Sequence, residues 1–572
     1  MYIQTFALAA LATCALGAVS NPHHKAQQYA RPKVVARTPE PRRLDKRASS
    51  PFLTNKTEQF SVNGTGLPEI NFDVGESYAG TLSINNDTSN ENALFFWFFP
   101  SDNPDASNEI TIWLNGGPGC SSLDGFFQEN GPVLWQSGTY EPQPNPFSWT
   151  NLTNMVWVDQ PVGTGLGSYA EGYPANITNE MIVGANFAGF WKNFIDTFNM
   201  TGYDVYLTGE SYAGQYIPYI AQTMLEQNDT EYYNVKGIQI NDPSIGDDAV
   251  LIYAPSVTHM NKYLPVFGLN DTFVESVNQR AEQCGYFSFM EEALTFPPQS
   301  KFTAPNISAE GCSIWDDIIT ASIYVNPCFN FYHLTDYCPF LWDEMGFPSL
   351  GIGPNNYFNR SDVQEALHAK ADYAVCGDNS LGLLDPGDES LPSSFTALPY
   401  VIERTNNVIV GNGLLDYLII ANGTLATLNN MTWNGAQGFS EAPSGKFFVP
   451  YNPSIGEVVL ETTTQPIPAI PVGLVSGGGT LGTTHTERGL TWVTVDLAGH
   501  EIPQYVPSAA YRQLEFLLGR IDNLTTIDDH FTTQTGNYSG TSPPSPDYSD
   551  SNSSEAAGAY LPRRAAGSGP LW

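Results

Sequence analysis

An α/β fold with a mostly parallel central sheet is what this sequence predicts. Two observations carry the prediction. Strand-like apolar runs alternate with helical stretches along most of the chain. Several turns rich in glycine and polar residues follow directly on the ends of those runs, where open parallel sheets place their ligand sites. About 490 residues between Arg47 and Gly540 are enough to bury a large core.

The strand-like runs are 94–99, 109–114, 155–158, 205–207, 235–240, 407–410 and 491–496. Each is rich in β-branched, aromatic or other apolar residues. Stretches 181–198 and 503–521 place apolar residues three or four apart, which predicts helices. The rhythm breaks from about 245 to 350, where aromatics and four cysteines concentrate. That segment reads as an insertion capping the site. From 536 to 572 the chain is rich in Ser, Pro, Asp and Gly without strong periodicity, which predicts a disordered low-complexity tail.

The first twenty residues read as a secretory signal peptide. They form an apolar Ala- and Leu-rich run ending in Ala18-Val19-Ser20, too short for a membrane span. Residues 21–47 are basic and Pro-rich and close on Lys46-Arg47, which predicts a propeptide removed after Arg47. The expected catalytic domain is then 48–535. About fifteen Asn-x-Ser/Thr sequons, among them Asn55, Asn151, Asn270 and Asn430, predict glycosylated surface loops. The expected location is extracellular rather than vacuolar, with no membrane anchor.

The net charge is −36, and residues 1–47 contribute +6, so the rest sits near −42. Phosphate binding needs a basic surface, so nucleic acid and anionic membranes are excluded as partners. A strongly acidic protein suits an acidic medium, where many carboxylates are protonated. Cys14 lies in the signal. The remaining six, Cys120, Cys284, Cys312, Cys328, Cys338 and Cys376, predict three disulfides in an oxidising compartment. Their spacing matches no zinc pattern, and no metal or cofactor is expected.

The chemistry concentrates at strand ends. The run 205–207 enters Gly209-Glu210-Ser211-Tyr212-Ala213-Gly214, and a helical stretch leaves it. A strand–turn–helix elbow holds a serine hydroxyl clear of its neighbours and aims helical N–H groups at whatever it attacks. Ala213 stands where the last glycine of the G-x-S-x-G pattern would be. The run 109–114 enters Asn115-Gly116-Gly117-Pro118-Gly119-Cys120, where glycines let backbone N–H groups approach a ligand. Asp416 follows 407–410, and His500 sits in a glycine turn after 491–496. The chain order Ser, Asp, His is that of α/β-hydrolases. His259, His333, His368, His485 and His530 lack this setting and read as packing or surface residues.

Four segments together resemble secreted serine carboxypeptidases: WLNGGPGCSS at 113–122, DQPVGTG at 159–165, GESYAG at 209–214 and GHEIP at 499–503. Their order and spacing agree, and the similarity covers roughly residues 60–525, nearest to fungal carboxypeptidase S1-type enzymes. The resemblance implies an α/β-hydrolase fold. It also implies release of C-terminal residues from peptides and proteins through an acyl-enzyme at acid pH. Ser211 would be the nucleophile, His500 the base and Asp416 its orienting acid. The N–H groups of Gly117 and Tyr212 would form the oxyanion hole. Asn115, Gly116, Glu129 and Glu210 would clamp the substrate carboxylate, with Glu129 matched through Phe126-Phe127-Gln128-Glu129-Asn130. Asp124 and Glu501 would line the pocket for the leaving residue. Ile419, three residues after Asp416 where some relatives carry a free cysteine, would also contribute to substrate binding. Cys120 would pair with Cys376. Leu414 departs from the family, which often has an acid there. An acyltransferase or esterase on the same scaffold is the alternative, and a binding protein with a dead site a third.

Overall fold

The computed structural model describes residues 50–85, 91–139, 141–338, 356–377, 381–450 and 476–534. The expected signal peptide, propeptide and tail lie outside them. Everything below concerns the compact unit made of Pro51–Asn452 and Val472–Ser545.

Its centre is an eleven-stranded sheet. The strands are β1 Ser61–Val62, β2 Ser77–Ser83, β3 Ala93–Phe99, β4 Glu109–Leu114, β5 Asn154–Asp159, β6 Asp204–Glu210, β7 Val235–Asn241, β8 Val408–Gly413, β9 Gly445–Val449, β10 Gly479–Glu487 and β11 Leu490–Val495. Their spatial order is β1-β2-β3-β5-β4-β6-β7-β8-β11-β10-β9. The six from β5 to β11 in that order pair in parallel, and the flanking strands pair antiparallel.

The seven expected strands all form; β4 coincides with its apolar run, and the others are a residue or a few longer or shifted. β3, β4 and β5 are buried throughout. A sheet covered on both faces needs apolar side chains at every position, which is why these strands read as continuous runs. Alternate residues divide between two cores. Phe96 and Phe98 join one with Phe190, Phe194 and Ile217, while Phe95, Trp97 and Phe99 join the other with Phe126 and Leu514. Helices cover the first face: α2 Glu180–Phe198, and α3 Ala213–Glu226. On the other lie α1 Leu123–Gln128 and α4 Pro507–Leu517. Asn179 caps α2 by accepting from the Ile182 N–H at 3.1 Å, and Asn199 closes it in the left-handed conformation.

The single helix expected over 503–521 is broken. A short turn, Ile502–Tyr505, precedes α4. Val506 leaves the helical region (φ −135°, ψ 66°), which the residue before a proline disfavours, and Pro507 starts the new helix. Strands β2 and β10 carry too many Gly, Ser and Thr residues to stand out in sequence, and β9 is only five residues long. β10 and β11 form a hairpin closed by Arg488 and Gly489, both at positive φ.

Between Asn241 and Val408 the chain leaves the sheet, an excursion longer than the expected insertion. Its described part includes helices Ala254–Lys262, Asp271–Gln283, Tyr286–Ala293 and Ile314–Val325. Disulfides Cys284–Cys312 and Cys328–Cys338 brace it. Its core, with Val257, Phe267 and Ile318, also contains Leu415, Tyr417 and Ile420, so the insertion packs directly on the turn that carries Asp416. Among the described residues no helix is long and apolar enough to cross a membrane.

One sequon is misplaced by the surface-loop expectation. Asn151 is buried, with its side-chain amide donating to the Pro146 carbonyl at 3.1 Å. Asn55 and Asn270 are exposed.

Candidate active site

Ser211 follows β6 without a break, and α3 begins two residues later. Its φ is +60°, a conformation that costs a non-glycine residue about 1 kcal/mol or more. Neighbouring backbone holds it there. Its N–H donates to the Asn241 carbonyl at 3.0 Å, and its carbonyl accepts from Gly214 and Ser244, each at 2.9 Å. The elbow is thus locked to the end of β7 as well as to α3.

The glycine loop after β4 lies against this elbow. A Cβ on Gly116 would stand 2.4 Å from the Tyr212 nitrogen and 2.8 Å from Ser211 Cβ, so only glycine fits. Gly117 has φ +114°, which favours glycine again. Neither the Gly117 N–H nor the Tyr212 N–H donates to another described residue. Disulfide Cys120–Cys376 fixes the loop, flanked by backbone bonds from Ser121 to Val375 and from Gly377 to Gly119. Asp159 buttresses it, accepting from Ser121 Oγ (2.7 Å) and Ser122 N–H (2.9 Å) on one oxygen and from Leu166 N–H (2.9 Å) on the other. The second motif, 159–165, therefore supports the first.

Asp416 and His500 come together from turns beyond β8 and β11. His500 Nδ1 lies 2.7 Å from Asp416 Oδ2, and both side chains are buried. Asp416 Oδ1 accepts from the N–H groups of Leu418 (2.7 Å) and Ile419 (3.2 Å), so its carboxylate is held from both sides. His500 Nε2 is buried without a hydrogen-bond partner, so the bond to Ser211 Oγ is not formed in this structure. Such bonds are often long before substrate arrives. The insertion holds both turns: Tyr332 carbonyl accepts from His500 N–H (2.8 Å), and Phe331 carbonyl from Tyr417 N–H (2.8 Å). The Tyr332 ring lies 5.0 Å from the His500 ring. Sequence reading gave Tyr332 no role. His333, read as ordinary packing, stacks on Tyr505 and binds Asp336.

Beside Ser211, the Asn115 side-chain amide joins two carboxyls. Its Nδ2 donates to Glu210 Oε1 at 2.9 Å and to Glu129 Oε1 at 3.5 Å. Trp113 Nε1 and the Gly125 N–H hold its Oδ1 at 2.8 and 3.2 Å, which fixes the direction of the amide. Glu129 and Glu210 are both buried, and each has one oxygen, Oε2, without a partner. Burial raises Glu129 well above the usual carboxyl range, and the Glu210 and Asp124 charges add to the effect. Burial likewise raises Glu210, followed by the charge of Glu501. Crowded acids cannot all ionise, so this group retains protons where single acids would lose them.

Asp124 and Glu501 are buried near this pair. Ile419 is placed differently. Its side chain packs with Leu251 and Ile252, and its N–H donates to Asp416 Oδ1. One acid in the site was not anticipated. Asp242, directly after β7, brings a carboxyl oxygen within 4.8 Å of ligand-type atoms of Asp416 and His500. The Asp416–His500 hydrogen bond occupies the edge that a cation would need, which favours shared protons over a bound metal.

A family model described as serine carboxypeptidase matches residues 68–519. The chain belongs to the serine carboxypeptidase family. It is 52% identical over 474 residues to a carboxypeptidase Y homolog of Arthroderma benhamiae, an alignment covering 83% of this chain and 89% of that one. It is 43% identical over 492 residues to serine-type carboxypeptidase F of Aspergillus niger, again covering 83% and 89%. A solved structure of the prohormone-processing carboxypeptidase Kex1 from Saccharomyces cerevisiae shares the fold, with TM-score 0.60 and 23% identity over 82% of this chain and 98% of that one. This carboxypeptidase is therefore a hydrolase on an α/β-hydrolase scaffold.

Proposed function

We propose that this enzyme is secreted and removes single residues from peptide C-termini at acid pH, with Ser211, His500 and Asp416 as its triad. Ser211 Oγ attacks the last peptide carbonyl while His500 Nε2 takes its proton. Asp416 fixes the ring through Nδ1 and stabilises its charged form. The oxyanion is received by the Gly117 and Tyr212 N–H groups, which are free of other described partners. One such donor is worth roughly 3–4 kcal/mol. His500 then gives the proton to the leaving amine, and water attacks the Ser211 ester by the same steps in reverse.

The observation that carries the exopeptidase reading is the Asn115-bridged pair of Glu129 and Glu210 beside the nucleophile. A protonated carboxyl and an amide N–H can each donate to a substrate carboxylate. Gly116 would add a backbone N–H. Asp124 and Glu501 would line the pocket for the leaving residue. Secretion rests on the signal-like and dibasic leader, residues 1–47, and acid working conditions on the acidic composition and the protonated pair. The low-complexity 536–572 would extend beyond the catalytic domain.

A peptide with a free C-terminus, compared with its C-terminal amide, tests the reading. The amide is expected to lose at least about a hundredfold in kcat/KM, because it leaves buried donors unmatched. Equal rates on both would refute it.

A further inference from the structure

We propose that Asp242 is a positioning residue that carries a proton on Oδ2 and donates it as a hydrogen bond to the Asp416 carboxylate, keeping His500 able to act as a base at acid pH. The inference rests on the triad reading above. Asp242 lies at the C-terminal end of β7, the strand between the Ser211 elbow and β8. It is fully buried and holds φ +43°, a conformation few non-glycine residues adopt. Backbone pairing imposes this, because its N–H donates to the Gly411 carbonyl at 2.7 Å.

The two oxygens of Asp242 are treated differently. Oδ1 accepts from Asn412 Nδ2 at 3.1 Å and from the Gly413 N–H at 2.9 Å. Oδ2 is buried and takes no hydrogen bond from an N–H. A carboxylate oxygen left bare in a dry site is costly, whereas a protonated one becomes a donor. The acceptor beside it is Asp416, and the pair also lies within 4.8 Å of the His500 ring. Two charges that close repel strongly, so the two carboxyls do not ionise together. Asp416 accepts from His500 Nδ1 and two backbone N–H groups, so it keeps the negative charge. Asp242, with neutral amide partners only, keeps the proton. Burial and the Asp416 charge both push its titration upward. The titratable groups facing Asp242 are Asp416, His500 and, farther across the site, Glu210.

The consequence concerns His500. A bare Asp416 carboxylate would stabilise the imidazolium fully and raise the pH at which the ring becomes a base. A neutral donor on Asp416 draws part of that charge away. The ring then stays neutral, and competent, to lower pH.

The test measures kcat/KM against pH on a neutral ester, which lacks the carboxylate that Glu129 and Glu210 would bind. Asp242→Asn retains a donor, with its carbonyl in the place of Oδ1. Asp242→Ala removes it. The acid-limb midpoint of Asp242→Asn is expected to coincide with wild type. That of Asp242→Ala is expected to rise by about one unit, a tenfold loss confined to the acid side. An unmoved limb in Asp242→Ala, or a uniform fall at all pH, would overturn the proposal. So would a limb moved to lower pH in Asp242→Asn, the result expected if Asp242 were an anion. Thermal melting checks folding, and if Asp242→Ala does not fold, Asp242→Asn alone decides. Failure of a fluorophosphonate to label wild-type Ser211 would instead overturn the triad reading itself.

Discussion

Glu129→Gln should move the pH dependence of peptide cleavage and leave ester cleavage alone. In the wild type, Asn115 Nδ2 stands 2.9 Å from Glu210 Oε1 and 3.5 Å from Glu129 Oε1. The two oxygens are therefore no more than about 6 Å apart, and two charges at that range repel by ~3 kcal/mol near a protein surface. That raises the second ionisation beyond what burial alone does. A peptide carboxylate needs the retained proton, so kcat/KM holds while the pair keeps it and falls tenfold per unit above. Replacing Glu129 by glutamine leaves Glu210 to titrate without a charged neighbour on that side. The falling limb for a peptide should then shift to lower pH. An uncharged ester has no carboxylate to bind, and its profile in that range should stay flat in both proteins. Parallel wild-type profiles for peptide and ester would refute the carboxylate clamp, as would a peptide limb that Glu129→Gln leaves in place.

Three further outcomes follow from the same geometry. Gly116→Ala drives a methyl to 2.4 Å from the Tyr212 nitrogen and should cost at least about a hundredfold in kcat/KM with the fold retained by circular dichroism; full activity would place the glycine loop elsewhere. Stability should fall as pH rises. Glu180 is raised well above its ordinary value by burial and then by Asp388, and Asp159 is raised by burial to about 6. These acids bind protons in the folded state that the unfolded chain releases near pH 4, so stability is complete below about pH 4 for these groups and drains through pH 6 and above. A higher Tm at pH 7.5 than at about pH 5 would contradict that. Finally, the Asp124–Glu501 pocket should favour terminal Lys over Leu and Phe increasingly from acid to near-neutral pH, and digests showing no Lys preference at either end would exclude it.

Much of this was legible in the chain because parallel strands buried on both faces cannot hide. Phe95 to Phe99 and Ile110 to Leu114 announce themselves, and Ser211, Asp416 and His500 stand out by following such runs. Strands β2 and β10, each next to an edge of the sheet, did not, since their Gly, Ser and Thr equally suit loops, and the edge strand β9 is only five residues long. Asp242 was missed for a different reason. Asn241-Asp242-Pro243-Ser244 reads as an ordinary turn, and only the parallel register of β7 with β8 brings its carboxyl beside Asp416. The pairings Cys284–Cys312 and Cys328–Cys338 likewise depend on how the insertion's helices pack, which spacing alone leaves open. The broken helix at Val506 was readable from Pro507, but the apolar spacing on either side masked it.

The most direct measurement is mass analysis of a timed digest of one long peptide, with wild type and Ser211→Ala side by side. Wild type should yield a ladder that shortens from the C-terminus by one residue at a time, and Ser211→Ala should leave the peptide intact over the same period. Internal cleavage products, or an equal ladder from Ser211→Ala, would contradict a serine exopeptidase centred on Ser211.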